Sequence, residues 1–305
     1  MDKIELNLLK EIADLEKVPD GAFNLRENGE LKQRNTTANI DIVSKKDGSG
    51  IDIIIKPNTK NERVDIPVII TKTGVNDLVY NDFYIGENAE VLIVAGCGIH
   101  NCGTEKSQHD GIHTFHLSKN AKVKYVEKHY GEGDGNGKNI LNPTTNIYLD
   151  EDSELTMETA QIKGVDSTIR KTNAELKSGA KLIIREKIMT HGEQYAETDF
   201  NVKLNGENSA THVISRSIAK DNSRQRFISC VDGNNRCSGH TECDAILMDN
   251  GIVTAEPRIN ANHLEASLIH EAAIGKIAGE QLTKLMTLGL SEKEAEAEIV
   301  KGFLK

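Results

Sequence analysis

Sulfur and imidazole ligands are concentrated in two stretches of this 305-residue chain, which has only five cysteines. The first, CGIHNC, runs from Cys97 to Cys102 and is followed by His109, His113 and His116. Thiolates and imidazoles at that density suit zinc or an iron–sulfur species. The spacing is not that of a zinc finger, and Gly96, Gly98 and Gly103 imply sharp turns, so a strand corner competes with a metal site. Cys97 keeps the parity of Val91, Ile93 and Ala95 and reads as core. Cys102, beyond the strand and beside His100, reads as the accessible, reactive thiol. The second stretch, CVDGNNRCSGHTECDAIL, carries Cys230, Cys237, His240 and Cys243 at spacings that match no closed zinc site. Downstream, SLIHEAA places His270 on the strand face of Leu264, Ala266 and Leu268, with Glu271 on the opposite face.

A nucleotide loop is absent. GEGDGNGKN (131–139) has Glu132 where a Walker A loop needs glycine and Asn139 where it needs Ser or Thr, and its acids would repel phosphate. It reads as a flexible turn, and any ATP belongs to a partner.

The element that must position these residues is a repeat. GENAEVLIVA (86–95), SKNAKVKYVE (118–127), DEDSELTMET (150–159), KSGAKLIIRE (177–186) and GENSATHVIS (206–215) each combine a polar turn, a small residue and an alternating strand. Their small residues, Ala89, Ala121, Ser153, Ala180 and Ser209, recur at intervals typical of stacked units. With no long helix between copies, the unit is β, and a right-handed parallel β-helix with inward Val91, Ile93 and Val123 fits best. A β-sandwich would need hairpins throughout, and Asn28-Gly29, Asp47-Gly48 and Asn205-Gly206 are too few.

The ends are helical. Ile4, Leu8, Leu9, Ile12 and Leu15 share a face over residues 2–15, predicting an N-terminal cap helix. GEQLTKLMTLG stops at Gly289, and Ser291 to Glu294 forms a capping box for a second helix with Ala295, Ile299, Val300 and Phe303 on its apolar face. The predicted organisation is a helix and lead-in over 1–34, a β-helix core over 35–275 and a helical hairpin over 276–305.

A formal charge of −10, from 47 acidic and 37 basic residues, disfavours nucleic-acid binding. No apolar run reaches the roughly 20 residues of a membrane span, and the N-terminus lacks a secretory pattern, so the cytoplasm is the expected compartment. There the cysteines are expected as free thiols or metal ligands.

TECDAIL (241–247), the Pro257 segment, LIHEAAIGKI (268–277), GEQLTKLMTLGLSEKEA (279–295) and IVKGF (299–303) together resemble the C-terminal half of the SufB/SufD family, the scaffold subunits of the SUF iron–sulfur cluster assembly system. The resemblance implies a right-handed parallel β-helix whose C-terminal helical region binds the ABC-type ATPase SufC. It also implies subunits that pair through the β-helix, as a homodimer or a SufB/SufD-type heterodimer. Cys243 matches the family's QCDSML cysteine, and His270 and Glu271 match its HEA motif in the SufB form, which implies them as ligands of a nascent cluster. FISC (227–230) departs from the family's frequent YRG, and CGIHNC has no counterpart in the general motif.

The resulting expectation is a scaffold, not a turnover enzyme. It holds a transient iron–sulfur cluster of unspecified type on Cys243, His270 and Glu271, with Cys102 and His100 as secondary metal ligands where sulfur or iron arrives from a donor system. Leu282, Leu285, Met286, Ile299 and Phe303 are the expected ATPase contacts. A flavin is left open with no motif to support it. The alternatives are a polysaccharide-active β-helix enzyme and a structural protein stabilised by zinc at the 97–116 cluster.

Overall fold

The small residues of the repeat mark the corners of a solenoid. The amides of Ala89, Ala121, Ser153, Ala180 and Ser209 each close a four-residue turn on the carbonyl three positions earlier, at 3.1–3.3 Å. All five side chains are fully buried, where a larger one would collide with the adjacent coils. The residue before each, Asn88, Asn120, Asp152, Gly179 or Asn208, has a left-handed backbone, a conformation that Asn, Asp and Gly tolerate best. Corner asparagines also stack: Asn120 Nδ2 donates to Asn88 Oδ1 (3.1 Å), and Asn262 to Asn234 and Asn234 to Asn205 (2.8 Å each).

The computed structural model describes residues 1–304. The chain begins with α1 (Lys3–Ala13), β1 (Ala22–Glu27), β2 (Glu30–Asn35), β3 (Ile40–Ser44), β4 (Gly50–Ile55), β5 (Lys60–Ile70), β6 (Asn76–Ile85) and β7 (Glu90–His100). It continues through β8 (Ser107–Leu117), β9 (Lys122–Glu132), β10 (Asn139–Leu141), β11 (Thr144–Leu149), β12 (Glu154–Lys163), β13 (Ser167–Leu176) and β14 (Lys181–Thr190). The last part comprises β15 (Tyr195–Leu204), β16 (Ala210–Ala219), β17 (Arg224–Gly233), β18 (Cys237–Leu247), β19 (Ile252–Ala261), β20 (Ala266–Lys276), α2 (Gly279–Thr287) and α3 (Glu292–Phe303).

The strands form two facing ten-stranded sheets wound into about eight turns of a β-solenoid. The first sheet runs β2-β1-β5-β7-β9-β12-β14-β16-β18-β20, and the second runs β19-β17-β15-β13-β10-β8-β6-β4-β3. β11 also lies between β8 and β13, continuing the row of β10 beyond Asn142 and Pro143. Pairing is parallel from coil to coil and antiparallel only in the β1–β2 and β3–β4 hairpins. Asn28-Gly29 and Asp47-Gly48 turn these two hairpins, whereas Asn205-Gly206 lies at a coil corner. Between the sheets, Val91, Ile93 and Val123 point inward as expected, and the Phe83 and Phe115 rings stack at 4.3 Å.

α1 lies on the outer face of β5, β7 and β9 instead of capping the end of the solenoid, which the two hairpins occupy. A reciprocal Asp2–Glu5 capping box starts it. Leu8, Leu9 and Ile12 are buried against Phe23, Leu25, Ile69 and Val94, worth about 2 kcal/mol per side chain. The helix can lie this close because Gly96 and Gly98 face it: a Cβ on Gly98 would stand 3.1 Å from Leu8 Cδ2. Gly96 and Gly98 are thus a helix seat within β7, not turns, whereas Gly103 lies in the bend that follows the strand.

GEGDGNGKN is not a loose turn. Gly135 and Gly137 donate to the carbonyls of Asn101 and Gly103 (3.2 and 2.9 Å), so the loop packs backbone to backbone on residues 101–105. A Cβ on Gly137 would lie 2.0 Å from the Glu105 carbonyl oxygen.

At the other end, α2 stops before Gly289, which has a φ of 100°. Ser291 and Glu294 form the expected capping box for α3. The hairpin touches the solenoid lightly: Arg216 Nη1 donates to the Phe303 carbonyl at 3.4 Å, and Ala295 is the only buried residue of α3. Among the described residues, no helix is long and apolar enough to cross a membrane.

Candidate functional site

Alternation along β18 turns Cys237, Thr241, Cys243 and Ala245 inward and His240 and Glu242 outward. The register of β18 with β20 sets Thr241 beside His270 and Cys243 beside Ala272. Cys243 and His270 therefore share the inner wall on neighbouring strands, at the end of the first sheet, where no further strand follows among the described residues. His270 Nδ1 lies 2.7 Å from Thr241 Oγ1, while its Nε2 is buried without a hydrogen-bond partner among the described residues. With Nδ1–H donating to the threonine, Nε2 keeps its lone pair for another ligand. Cys243 is 1% exposed, and burial, with the charges of Glu186 and Asp244 behind it, pushes its thiol up to about 12. Glu271 points to the opposite face, as its parity predicts; Leu264 lies in the preceding turn, fully exposed, and does not share the face of His270.

The inward positions leading away from Cys243 are polar. In register along the first sheet stand Cys243, Ser215, Glu186, Thr159 and Glu127. Arg170 reaches them from β13: its guanidinium ion-pairs with Glu127, approaches Glu186 at 3.4 Å and lies 3.3 Å from His129 Nδ1. Although burial opposes ionisation of both acids, Glu127 is held well below the usual carboxylate range, by Arg170 first. Glu186 is raised by burial and takes hydrogen bonds from Thr198 and Ser215. Cys97, His109, His113 and His129 border, with Glu127, a small interior void of about 20 Å³ beside the end of this stripe, with room for one water-sized molecule.

The four histidines that follow Cys97 diverge. His109 Nδ1 pairs with Asp77 Oδ2 (3.0 Å) inside the solenoid, His113 Nδ1 meets the Tyr125 hydroxyl (2.8 Å), and His116 stacks outside between Tyr84 and Tyr148. His100 faces out. They build no common zinc site, which removes the geometric basis for the zinc-stabilised alternative. Cys97 is buried, as its parity predicts, and burial raises its thiol well above the ordinary value. Cys102 is exposed, and its Sγ lies 2.9 Å from His100 Nε2, while His100 Nδ1 lies 3.1 Å from Glu132 Oε1. A thiol, an imidazole and a carboxylate in line are the arrangement that withdraws a thiol proton and orients the base. Five strand spacings separate β7 from β18, roughly 24 Å, so Cys102 and His100 do not share one site with Cys243.

Residues 74–303 match the SufBD core domain of SUF-system iron–sulfur cluster assembly. The chain belongs to the SufBD family. It is 30% identical over 237 residues to an iron–sulfur cluster assembly SufBD family protein of Methanocaldococcus jannaschii, covering 77% of this chain and 74% of that one. Similar proteins of the same description occur in Archaeoglobus fulgidus (29% over 247 residues, 80% of this chain and 65% of that one) and Methanothermobacter thermautotrophicus (27% over 243 residues, 78% and 57%). The chain thus spans somewhat less than two thirds of the latter two. Membership places this SufBD protein in iron–sulfur cluster assembly.

Of the residues expected to contact the ATPase, Leu282, Leu285, Ile299 and Phe303 are half-buried and Met286 is exposed, all on the hairpin. A cluster that sequence reading missed lies on the outer wall of this SufBD protein. His212, His240 and Glu242 present ligand atoms within 4.8 Å of one another, the one such group among the described residues. Only the coil period could have revealed it, since His212 and His240 are one turn apart in register.

Proposed function

We propose that this protein is a scaffold on which a nascent iron–sulfur cluster is assembled, with Cys243 and His270 as its inner ligands. The observation that carries this reading is the unpartnered, buried Nε2 of His270 on the strand next to Cys243, at the open end of the solenoid. A thiolate and an imidazole form a mixed ligand set weaker than four thiolates, which suits a cluster that must be handed on. Glu271, outside the wall, joins when β20 moves; as an edge strand, β20 is held by one neighbour only.

Burial of Cys243 keeps the site closed at rest. Opening falls to a partner: the lightly attached α2–α3 hairpin, with Leu285 and Met286 toward its surface, is the docking element for a SufC-type ATPase, which hydrolyses the ATP. The bare edges of β19 and β20 are where a second subunit pairs, identical or SufD-like. Cys102, oriented by His100 and Glu132, is the thiol whose thiolate takes the outer sulfur of a donor persulfide, with the donor's own thiolate leaving.

Anaerobic reconstitution with ferrous iron and sulfide, followed by absorption and Mössbauer spectroscopy, tests the assignment. Cys243→Ser and His270→Ala should lose bound cluster, while Cys102→Ser should slow loading when sulfur comes from a persulfide donor and a reductant is present, without lowering the yield reached with free sulfide. Full loss in Cys102→Ser with a normal Cys243→Ser would move the assembly site to the 97–116 region.

A further inference from the structure

On the outer face of the wall that carries Cys243, three consecutive strands of the first sheet supply ligands. His212 of β16 lies in register with His240 of β18, and their rings stack at 5.0 Å and 3°. Glu242, two residues along β18, brings Oε1 to 2.8 Å from His212 Nε2 and 3.7 Å from His240 Nδ1. Glu271 of β20, in register with Glu242, holds Oε2 at 3.7 Å from His240 Nε2. That His240 nitrogen is itself shielded from solvent and has no hydrogen-bond partner among the described residues.

These distances bear on what the group is for. At 3.7 Å the His240 contacts are too long for hydrogen bonds; Nδ1 faces the Glu242 carboxylate that His212 meets closely, and Nε2 faces Glu271. A metal ion bound about 2.1 Å from each donor needs donors roughly 3 Å apart, a spacing reached here by small side-chain rotations. The side chains are a quarter to two-fifths exposed, so an ion can reach them from a shallow groove bordered by Ile183, Ala210 and Ile269. Parallel pairing also fixes the Cα positions of His212, His240 and Glu242, leaving only rotamers to adjust.

We infer that His212, His240 and Glu242 form a binding site for a single ferrous ion on the outer wall, with Glu271 beside it on the other edge of the His240 ring. Two imidazoles and one carboxylate with open coordination positions are a donor set suited to Fe²⁺, and the absence of thiolate makes it distinct in chemistry from the cluster ligands inside. Binding is a ligand exchange without change of oxidation state: iron-bound water leaves, and any proton shared between His212 and Glu242 goes to solvent. Resting on the scaffold reading above, the site holds iron one residue along β18 from Cys243, on the opposite face of the strand. Glu271 stands where the two sets of ligands adjoin, so movement of β20 would carry a carboxylate from one toward the other.

The test is anaerobic equilibrium binding of Fe²⁺ to the full chain, with Co²⁺ as a spectroscopic probe whose ligand-field bands distinguish imidazole and oxygen donors from thiolate. One equivalent should bind without thiolate-to-metal charge-transfer absorption, and Cys243→Ser should bind it equally. His240→Ala and Glu242→Gln should each weaken binding by about tenfold or more, with unchanged circular dichroism. At limiting iron, the His212→Ala/His240→Ala pair should load cluster more slowly than the unsubstituted chain and reach the same yield when iron is in excess. Failure of the unsubstituted chain to bind Co²⁺ or Fe²⁺, or binding lost in Cys243→Ser and kept in His240→Ala, would overturn the outer site. Neither result would touch the scaffold reading, which stands or falls on cluster formation by the Cys243 and His270 variants.

Discussion

The carboxylate of Glu127 on one sheet meets the guanidinium of Arg170 on the other across the interior of the solenoid, with each residue no more than 3% exposed. Truncating one member leaves the other charge buried and unpaired, which costs on the order of 3–5 kcal/mol. Arg170→Met should therefore lower the thermal midpoint by many degrees, and Glu127→Gln/Arg170→Met should recover part of the loss. An Arg170→Met protein as stable as the unsubstituted one would show that the pair is not confined as described.

Stability should fall in mild acid because His113 is held neutral. Tyr125 donates its hydroxyl to Glu127 (3.0 Å), leaving its oxygen to accept from His113 Nδ1–H, while Asn81 Nδ2 lies 3.3 Å from His113 Nε2. Burial, only partly offset by Glu127 and reinforced by His109, His129 and Arg170, lowers the His113 pKa to about 4. A folded value below the unfolded one of about 6.5 means that the contribution is complete above pH 6.5 and is lost as pH falls toward 4, on the order of 3 kcal/mol in all. His129 shifts in the same direction. Urea midpoints between pH 7.5 and 5 should drop less in His113→Gln than in the unsubstituted chain.

Gly98→Val should lift α1 from the wall, since even a Cβ at that position crowds Leu8 and Ile12. Overpacking of this kind costs about 1–3 kcal/mol. Limited proteolysis should then cut within the first twenty residues and spare the coils; an unchanged digestion pattern would mean that the glycines do not seat the helix.

Thiol labelling of the native chain should single out Cys102 for speed, with Cys230 slower and Cys97, Cys237 and Cys243 protected until denaturation. His100→Ala should slow alkylation of Cys102 by about tenfold. Asp134 stands near the thiol, where its negative charge opposes formation of the thiolate, so Asp134→Asn should speed it. Equal rates in all three proteins would deny His100 its role as base.

Leu285→Asp/Met286→Asp should abolish co-purification with a SufC-type ATPase while the circular-dichroism signature of the coils persists. Binding that survives deletion of residues 279–303 would place the contact elsewhere.

The coil repeat was legible because corners tolerate only small side chains: Ala89, Ala121, Ser153, Ala180 and Ser209 stand where steric exclusion leaves little choice. The inward parity of Cys97 followed from alternation with Val91, Ile93 and Ala95, and that of His270 from alternation with Ala266 and Leu268. The polar interior was hidden because Glu127 is neutralised by Arg170, 43 positions away, and no local pattern announces such a partner. Gly96 and Gly98 were misread for a related reason, since the helix they accommodate lies some 85 residues upstream. The outer cluster required knowledge that His212 and His240 fall at the same point of successive turns.

The two ends of the solenoid are unlike. At one, the antiparallel hairpins interrupt the parallel winding, and the outermost strand β2 carries Lys32 and Arg34; at the other, β19 and β20 are the last strands of the sheets among the described residues. Identical coils joined head to tail could polymerise without limit, as open edges invite. Here the antiparallel hairpins at one end cannot continue the parallel register of the other end, so unbroken head-to-tail winding from one molecule into the next is interrupted. The molecule carries a terminator for its own fibre.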